Sequence, residues 1–465
     1  MSERRSGHRP TAVVVGGGMT GMLAASVLAG SGDVTVVETD TLPEQASPRR
    51  GLPQARHAHV LWSGGVRALE QLLPGITERL LERGARRVPI MSGMVSKAPS
   101  GQWFRRFEHA HHVNIVCSRD LLDATIRAEV VRRPGITVRE RTETLGLEGT
   151  VDRVTGVRTR DATGDGTLTA DLVVDASGRG SRAPSWLTEL GLPAVGERVV
   201  DAGVGYASRI YRPPASAPDD FPIVNVQAEP TRPPGKGGII LPIENGQWLV
   251  TLAGTRGGLP SRDNDAFVSF AESLAHPVIG ELLTRAEPVT DVVTTRSTAN
   301  KRRYFEKLDR WPAGFAVLGD AVAGYNPVYG HGLTAAAQSV VAMKEVLARH
   351  DLGSARTARL VQRGAARPVG HAWDLAVGQD AFYPGATAEA PSRIERLMAA
   401  FIDRAVDAGA RNPHALRALL DVMSMERPPA RLLAPDMLWR VFLGRKKPLL
   451  DGPPLTDGER KSVGL

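Results

Sequence analysis

A single cysteine, Cys117, occurs in 465 residues, and that scarcity removes several classes of chemistry at once. One thiol closes no intramolecular disulfide and builds no cysteine-based zinc or iron–sulfur site. A reducing cytoplasm is the compartment it fits. Aromatic residues make up 5% of the chain and never interleave with a long Lys/Arg block. The formal charge of +8 is therefore not read as a nucleic-acid footprint. Long apolar runs are missing as well: nothing approaches the ~20 residues of a membrane span, so no integral membrane segment is expected. The N-terminal stretch Met1 to Pro10 is polar and basic and lacks the apolar core of a signal peptide. Lysine is scarce beside arginine, whose fixed fork of donors suits phosphates and carboxylates.

The hydrophobic share of 42% and charged share of 23% belong to an ordinary soluble globular protein, and the length suits two or three interlocked domains. The first legible unit starts at once. Thr11 to Val15 is a short Val-rich run, and Gly16-x-Gly18-Met19-Thr20-Gly21 follows it directly. Met22 to Leu28 then alternates small and large apolar residues as a buried helix does. A second β-branched run, Val34 to Val37, ends at Glu38.

In such a strand–loop–helix–strand unit the three glycines have separate tasks. The first permits a tight turn, the second lets backbone approach a pyrophosphate, and the third lets helix and strand pack closely. The phosphates sit at the helix N-terminus, where free N–H groups and the macrodipole favour anions. Glu38 stands where an acid accepts ribose hydroxyls, and an acid there disfavours a 2′-phosphate. The unit therefore predicts FAD or NAD and does not choose between them.

Farther along, Thr39 to His59 reads as an extended loop carrying Arg49, Arg50, Arg56, His57 and His59. Helical periodicity marks 61–73 and 119–131, and strands are expected over 136–148, 154–160 and 172–174, the last ending at Asp175. Residues 199–254 look like a separate sheet, 267–283 like a helix, and 314–320 like a strand delivering Gly319-Asp320. A helix is expected over 333–348, and 351–465 reads as helical with Pro breaks.

Two distant segments carry a resemblance. Asp175-Ala-Ser-Gly178-Arg179-Gly180-Ser181-Arg182 resembles the middle Asp-Gly motif of flavoprotein monooxygenases built like para-hydroxybenzoate hydroxylase. Gly319-Asp320-Ala321, with Pro327, Gly330 and Gly332 after it, is similar to their third motif. The resemblance implies FAD as the cofactor, with Asp320 on the ribityl chain and the helix from Leu333 turning its N-terminus to the flavin. Arg119 matches a family position that reaches the FAD phosphates or ribityl chain. Arg50 and Arg56 lie where the family supplies arginine to the cofactor, or else are solvated. Two departures, Ala323 in place of a frequent His and Thr334 in place of the usual Asn, point away from the phenol-hydroxylating branch.

The implied fold is α/β: a Rossmann-like FAD-binding domain interleaved with a β-sheet substrate domain, plus a helical C-terminal region. Residues 10–75, 110–182 and 300–350 form the discontinuous FAD-binding domain in this reading. Residues 76–109 and 183–299 form the substrate-binding domain, and 351–465 the helical region.

Longer strings narrow the branch. Gly51 to Gly65, Gly319 to Gly332, Leu241-Pro-Ile-Glu244 and Gly254-Thr-Arg-Gly-Gly258 resemble the flavin-dependent epoxidases of polyether ionophore biosynthesis, of the monensin and lasalocid type. The resemblance implies epoxidation of alkenes in a linear polyene polyketide, free or bound to a carrier protein. Oxygen from O2 would be delivered through a flavin C4a-hydroperoxide, so no catalytic side chain and no metal are expected. With no second Gly-x-Gly-x-x-Gly unit, electrons come from NAD(P)H directly or through a separate flavin reductase. Tyr206 and Trp248 either line the substrate wall or fill the core as ordinary aromatics. His57 and His59 are expected to order their loop by hydrogen bonds. An aromatic or polyketide hydroxylase of the same fold, or a non-catalytic flavin-binding carrier, are the alternatives. The basic, aromatic segment Leu432 to Lys447 either packs its apolar face on the body or touches a membrane or carrier protein.

Overall fold

The computed structural model describes residues 9–229, 232–296, 298–387, 390–444 and 447–465. Most of the polar N-terminal stretch, and Arg445 and Lys446 of the basic C-terminal segment, lie outside the described residues. Five parallel strands form the central sheet in the order Phe315–Val317, Leu172–Asp175, Thr11–Val15, Asp33–Val37, Ile136–Arg139. Phe315–Val317, Leu172–Asp175 and Thr11–Val15 are nearly continuous apolar runs because both faces are covered, whereas the edge strand Ile136–Arg139 alternates half-buried and exposed residues. Val14, Val36 and Val174 face a cluster shared with Leu23, Leu69, Ile126 and Val340. Val13, Val173 and Val317 face the opposite cluster with Trp186 and Trp373. The period of two along each strand thus divides the core into two layers.

The helices of the first layer are Met19–Leu28, Ser63–Leu72, Arg119–Val131 and His331–Leu347. Ser118 starts the third by accepting a hydrogen bond from the Leu121 N–H at 3.1 Å, which satisfies one of the donors left free in a first turn.

A seven-stranded sheet stands beside this core. Its main path runs Glu287–Pro288, Gly205–Arg212, Gln247–Gly254, Lys236–Ile243, Ile223–Val226, Met94–Lys97, and Val293–Thr295 pairs with Gly205–Arg212. Register pairs Tyr206 with Ala253, Ser208 with Thr251 and Tyr211 with Trp248. Alternation therefore puts Tyr206 and Ser208 on one face and Tyr211 and Trp248 on the other. The second face is covered by helices Ala266–Glu272 and Val278–Leu283.

Several local expectations change in the structure. The stretch 136–148 is two strands in different sheets, parted near Arg141, which has φ of 51°. A further strand, Gly164–Thr169, pairs with Val154–Asp161; it is exposed almost throughout and has no apolar period to announce it. The helix expected over 267–283 is two helices, the second starting after Pro277, where proline removes a backbone donor. Glu197–Val200 leaves the large sheet and pairs with Asn300–Arg303.

Helices Arg393–Arg411, Pro413–Met423 and Pro435–Phe442 pack on one another through Ala408, Leu419 and Met437. The basic C-terminal segment buries Met437 and Val441 and leaves Trp439 and Phe442 more than half exposed. Among the described residues no helix is long and apolar enough to cross a membrane.

Candidate cofactor site

The glycine loop runs from the carboxyl end of Thr11–Val15 into helix Met19–Leu28. Gly16 has φ of 99°, and a methyl there would stand 2.7 Å from the Ala176 carbonyl oxygen. A methyl on Gly21 would overlap the Gly16 carbonyl oxygen, whereas one on Gly18 would meet nothing within 4 Å. The first and third glycines therefore serve packing, and the second leaves an open face at the helix N-terminus. Met19 is buried in the first turn of that helix.

Glu38 closes the loop from below. Its Oε2 accepts from the Gly17 N–H at 2.8 Å and its Oε1 from the Asp40 N–H at 2.9 Å. Arg49 lies 2.8 Å from Glu38 Oε2 and donates to the Gly17 carbonyl at 3.2 Å. Arg49 is buried, while Arg50 and Arg56 are exposed. The arginine built into this loop is thus neither of the two singled out by position, and spacing carries no signal that separates neighbours in an irregular segment. A groove of about 310 Å³ opens here, lined by Gly16, Gly18, Glu38, Arg49, Gly178 and Arg182 among others. Methyls on Gly178 and Gly180 would also meet nothing within 4 Å. A side-chain-free rim around an acid at the carboxyl ends of parallel strands fits a dinucleotide.

The middle motif has a different task. Asp175 is wholly buried and accepts from the Ser177 N–H at 2.9 Å and from the hydroxyls of Ser177 and Ser181, each at 2.6 Å. Burial pushes its carboxyl above the ordinary range, and the serine hydrogen bonds oppose that shift. Asp175 braces its own turn. From that turn Arg179 donates to the carbonyls of Tyr325, within the string 319–332, and, at 3.2 Å, Ala299.

Strand Phe315–Val317 delivers Gly319 and Asp320. A methyl on Gly319 would sit 2.6 Å from the Thr20 hydroxyl, so Thr20 of the glycine loop touches the third motif. About a third of the Asp320 side chain is open to solvent, and Arg179 lies 3.8 Å away. Burial of its surroundings raises the Asp320 carboxyl, against the pull of Arg179 and then Arg119. Arg119 itself is buried and holds Asp123 at 2.7 Å.

Pro327 opens a short turn, Pro327–Tyr329, and Gly330, with φ of 68°, caps helix His331–Leu347. The helix starts two residues before Leu333, so Gly332 and Leu333 lie in its first turn, where N–H groups have no intrahelical acceptor. Trp62 Nε1 donates to the Tyr329 carbonyl at 3.1 Å. A methyl on Gly330 would sit 3.2 Å from both Trp62 Nε1 and Val60 Cβ. The strings 51–65 and 319–332, far apart in sequence, are in contact.

His57 Nδ1 lies 2.8 Å from Ser208 Oγ, which is 2.6 Å from Thr251 Oγ1, and Thr251 accepts from the Ala58 N–H at 2.8 Å. Burial, helped by Arg56, pushes the His57 imidazole down to about 4. Burial and Arg119 push His59 down to about 3, and burial takes His331 down to about 4. All three rings are neutral at pH 7. Tyr206 faces this side and donates to Asn326 Oδ1 at 2.5 Å. Trp248 does not: it packs on Phe221 at 5.0 Å between ring centres, on the helix-covered face. Of the two alternatives open to each aromatic, Trp248 takes the core one, because its position and that of Tyr206 differ in strand parity.

One cluster went unread in the sequence. His112 is fully buried, with Nε2 3.0 Å from Asp421 and Nδ1 3.0 Å from Ser63 Oγ and 3.4 Å from Glu426. His111 lies 3.4 Å from Glu426, and Arg67 also pairs with it. Some 300 residues separate the partners, so no spacing rule finds them. The hub ties the turn after Pro413–Met423 to the core. There His331 Nε2 lies 3.0 Å from the Met423 carbonyl, and Gln338 donates to the Met425 carbonyl at 2.9 Å.

The FAD binding domain family matches residues 9–373, which include all three motifs and the loop between them. The chain belongs to the FAD binding domain family. This membership makes FAD the cofactor. Protein Rv3254 of Mycobacterium tuberculosis is 30% identical over 428 residues, 89% of each chain. Kynurenine 3-monooxygenase of Salinispora tropica is 27% identical over 363 residues, 74% of each. A flavoprotein/dehydrogenase from Cytophaga hutchinsonii shares the fold with a TM-score of 0.65 at 16% identity, covering 93% of this chain and 96% of that one.

Proposed function

We propose that the chain is an epoxidase: an FAD-dependent monooxygenase acting on alkenes of a linear polyene polyketide in polyether biosynthesis. In this reading Gly16 to Gly21 and Glu38 hold the nucleotide, Asp320 accepts from the ribityl hydroxyls, and the first turn of His331–Leu347 offers N–H groups to the flavin. Residues 10–75, 110–182 and 300–350 then form the cofactor domain and 76–109 with 183–299 the substrate domain. Bound FAD, reduced by NAD(P)H or a flavin reductase and exposed to O2, supplies an electrophilic oxygen.

The choice of alkene rests on the strings 51–65 and 319–332, which resemble those of the epoxidases and meet here at Trp62, Tyr329 and Gly330, and the electrostatics of the site agree with it. His57, His59 and His331 are neutral and poorly basic, and the phenols of Tyr206 and Tyr329 are held protonated by burial. A phenol substrate gains reactivity by losing a proton, which needs a base poised near neutral pH. An alkene needs none. The protein's work is then to present one alkene face and to exclude water, and a wall fixed by His57, Ser208 and Thr251 suits that.

The test is purified protein with FAD, NAD(P)H with and without a flavin reductase, O2 and a linear polyene, read by mass spectrometry. Products that gain one oxygen per alkene as epoxides are expected. Oxygenation of phenols alone would replace this reading with the aromatic hydroxylase, and tight flavin binding without product-coupled oxygen uptake would replace it with the carrier.

A further inference from the structure

Behind the flavin-side turn sits a buried carboxylate held by three neutral donors. Asp380, the last residue of helix Thr357–Asp380, is 1% exposed. Its Oδ2 accepts from Asn300 Nδ2 at 2.6 Å and Asn326 Nδ2 at 2.9 Å, and its Oδ1 from the Tyr329 hydroxyl at 2.6 Å. Among the described residues no Lys or Arg pairs with it. Asn326 is held on every polar atom: its N–H donates to Asn300 Oδ1 at 2.7 Å, and its Oδ1 accepts from Tyr206 at 2.5 Å and from the Val328 N–H at 3.3 Å. Both ends of the turn Asn326–Tyr329 thus hang on one buried group, and Tyr206 ties the same turn to the substrate-side sheet.

A buried carboxylate of this kind is costly. Three neutral donors recover part of its lost hydration, yet burial still raises it above the ordinary carboxyl range. An apolar contact would hold a helix end more cheaply. What three convergent donors give in exchange is a single geometry for the residues that make them.

We propose that Asp380 is a positioning residue for the flavin: it fixes the turn Asn326–Gly330, and with it the first N–H groups of helix His331–Leu347, through Asn326 and Tyr329. This rests on the reading of that turn as the flavin edge. Asp380 touches neither cofactor nor substrate in this role. Its negative charge also lies behind the turn, where it opposes the helix N-terminus in stabilising electron-rich flavin.

The two contributions separate by substitution. Asp380→Ala removes every acceptor. Asp380→Asn keeps the shape, with its carbonyl for the two Asn amides and its amide donating to the Tyr329 oxygen, but removes the charge. The full chain is titrated with FAD, and the visible spectrum and midpoint potential of the bound flavin are recorded beside thermal melts of the apoprotein. Asp380→Ala is expected to bind FAD about tenfold more weakly, the loss of a charged hydrogen-bond set, with an altered flavin spectrum. Asp380→Asn is expected to recover most of the affinity and to raise the midpoint potential. If Asp380→Ala does not fold, Tyr329→Phe and Asn326→Ala take its place, with a smaller loss of affinity and the same spectral change expected. Folded variants whose flavin affinity, spectrum and potential match the natural chain would overturn the proposal while leaving the cofactor reading standing. Failure of the natural chain to bind FAD would sink both.

Discussion

The two ends of the cofactor site are built on opposite plans. At the nucleotide end the design is local: residues 16–49 supply the loop, the acid and the buried arginine, and much of the work is done by side chains that are absent. At the end proposed to face the flavin the design is assembled. Asn300, Asn326, Tyr329, Asp380 and Tyr206 come from a strand, a turn, the end of a helix and a second sheet, and all are engaged by hydrogen bonds. The first end tolerates change outside its glycines, whereas the second passes a disturbance at one group to all the others.

Substitutions sharpen the contrast. The largest effect is expected from Gly21→Ala, whose methyl has no room beside the Gly16 carbonyl. It should abolish flavin retention and destabilise the apoprotein by about 3 kcal/mol. Gly18→Ala, with open space around it, should lose flavin yet melt as the natural apoprotein does. Equal melting losses in both variants would break the division between packing and binding glycines.

Acid should find the assembled end first. His57 and His331 have folded pKa values of about 4 against about 6.5 in the unfolded chain, so the unfolded state binds more protons between these values. The stability they contribute is full above pH 6.5 and is lost as pH falls toward 4, at about 1.4 kcal/mol per pH unit for each ring. Denaturant midpoints measured from pH 7 to pH 4.5 check this, and His57→Gln should flatten the slope. A slope unchanged in that variant would show that His57 is not the group titrating.

Asp320→Ala should weaken FAD binding about tenfold in a flavin titration, by loss of its ribityl acceptor. Unchanged affinity would mean the third motif is misread. The smallest contrast lies in the loop: Arg49→Ala removes the ion-pair partner of Glu38, leaves its two backbone hydrogen bonds, and should cost about 1 kcal/mol of stability in a denaturant melt, while exposed Arg50→Ala should cost nothing measurable.

How much of this was legible follows the same division. The strand–loop–helix–strand unit and Glu38 were readable because their chemistry is contiguous and their periods are undisturbed. The parallel sheet was readable because most of its strands are apolar on both faces. Asp175 was found by motif, but its role as a brace needed the positions of Ser177 and Ser181. Tyr206 and Trp248 carry the same kind of signal in sequence. Only the register Tyr211 to Trp248 shows that they face opposite ways. Asp380, and the hub of His112, Asp421 and Glu426, had no local signature at all, since their partners meet only after the chain has returned on itself.

That return has a consequence for how the protein is made. Helix His331–Leu347 leans on the carbonyls of Met423 and Met425, and Ser63 donates to Glu426 at 2.5 Å. A ribosome adding roughly 5–20 residues per second needs on the order of 20–80 s to pass from Gly21 to Glu426. For about three quarters of that interval the nascent chain carries Val13, Val14 and Val36 with their sheet unfinished, since Phe315–Val317 has yet to be added at its edge. The strands are complete once Phe315–Val317 is made, but helix His331–Leu347 lacks its partners at Met423 and Met425 until the last hundred or so residues of that passage have been added.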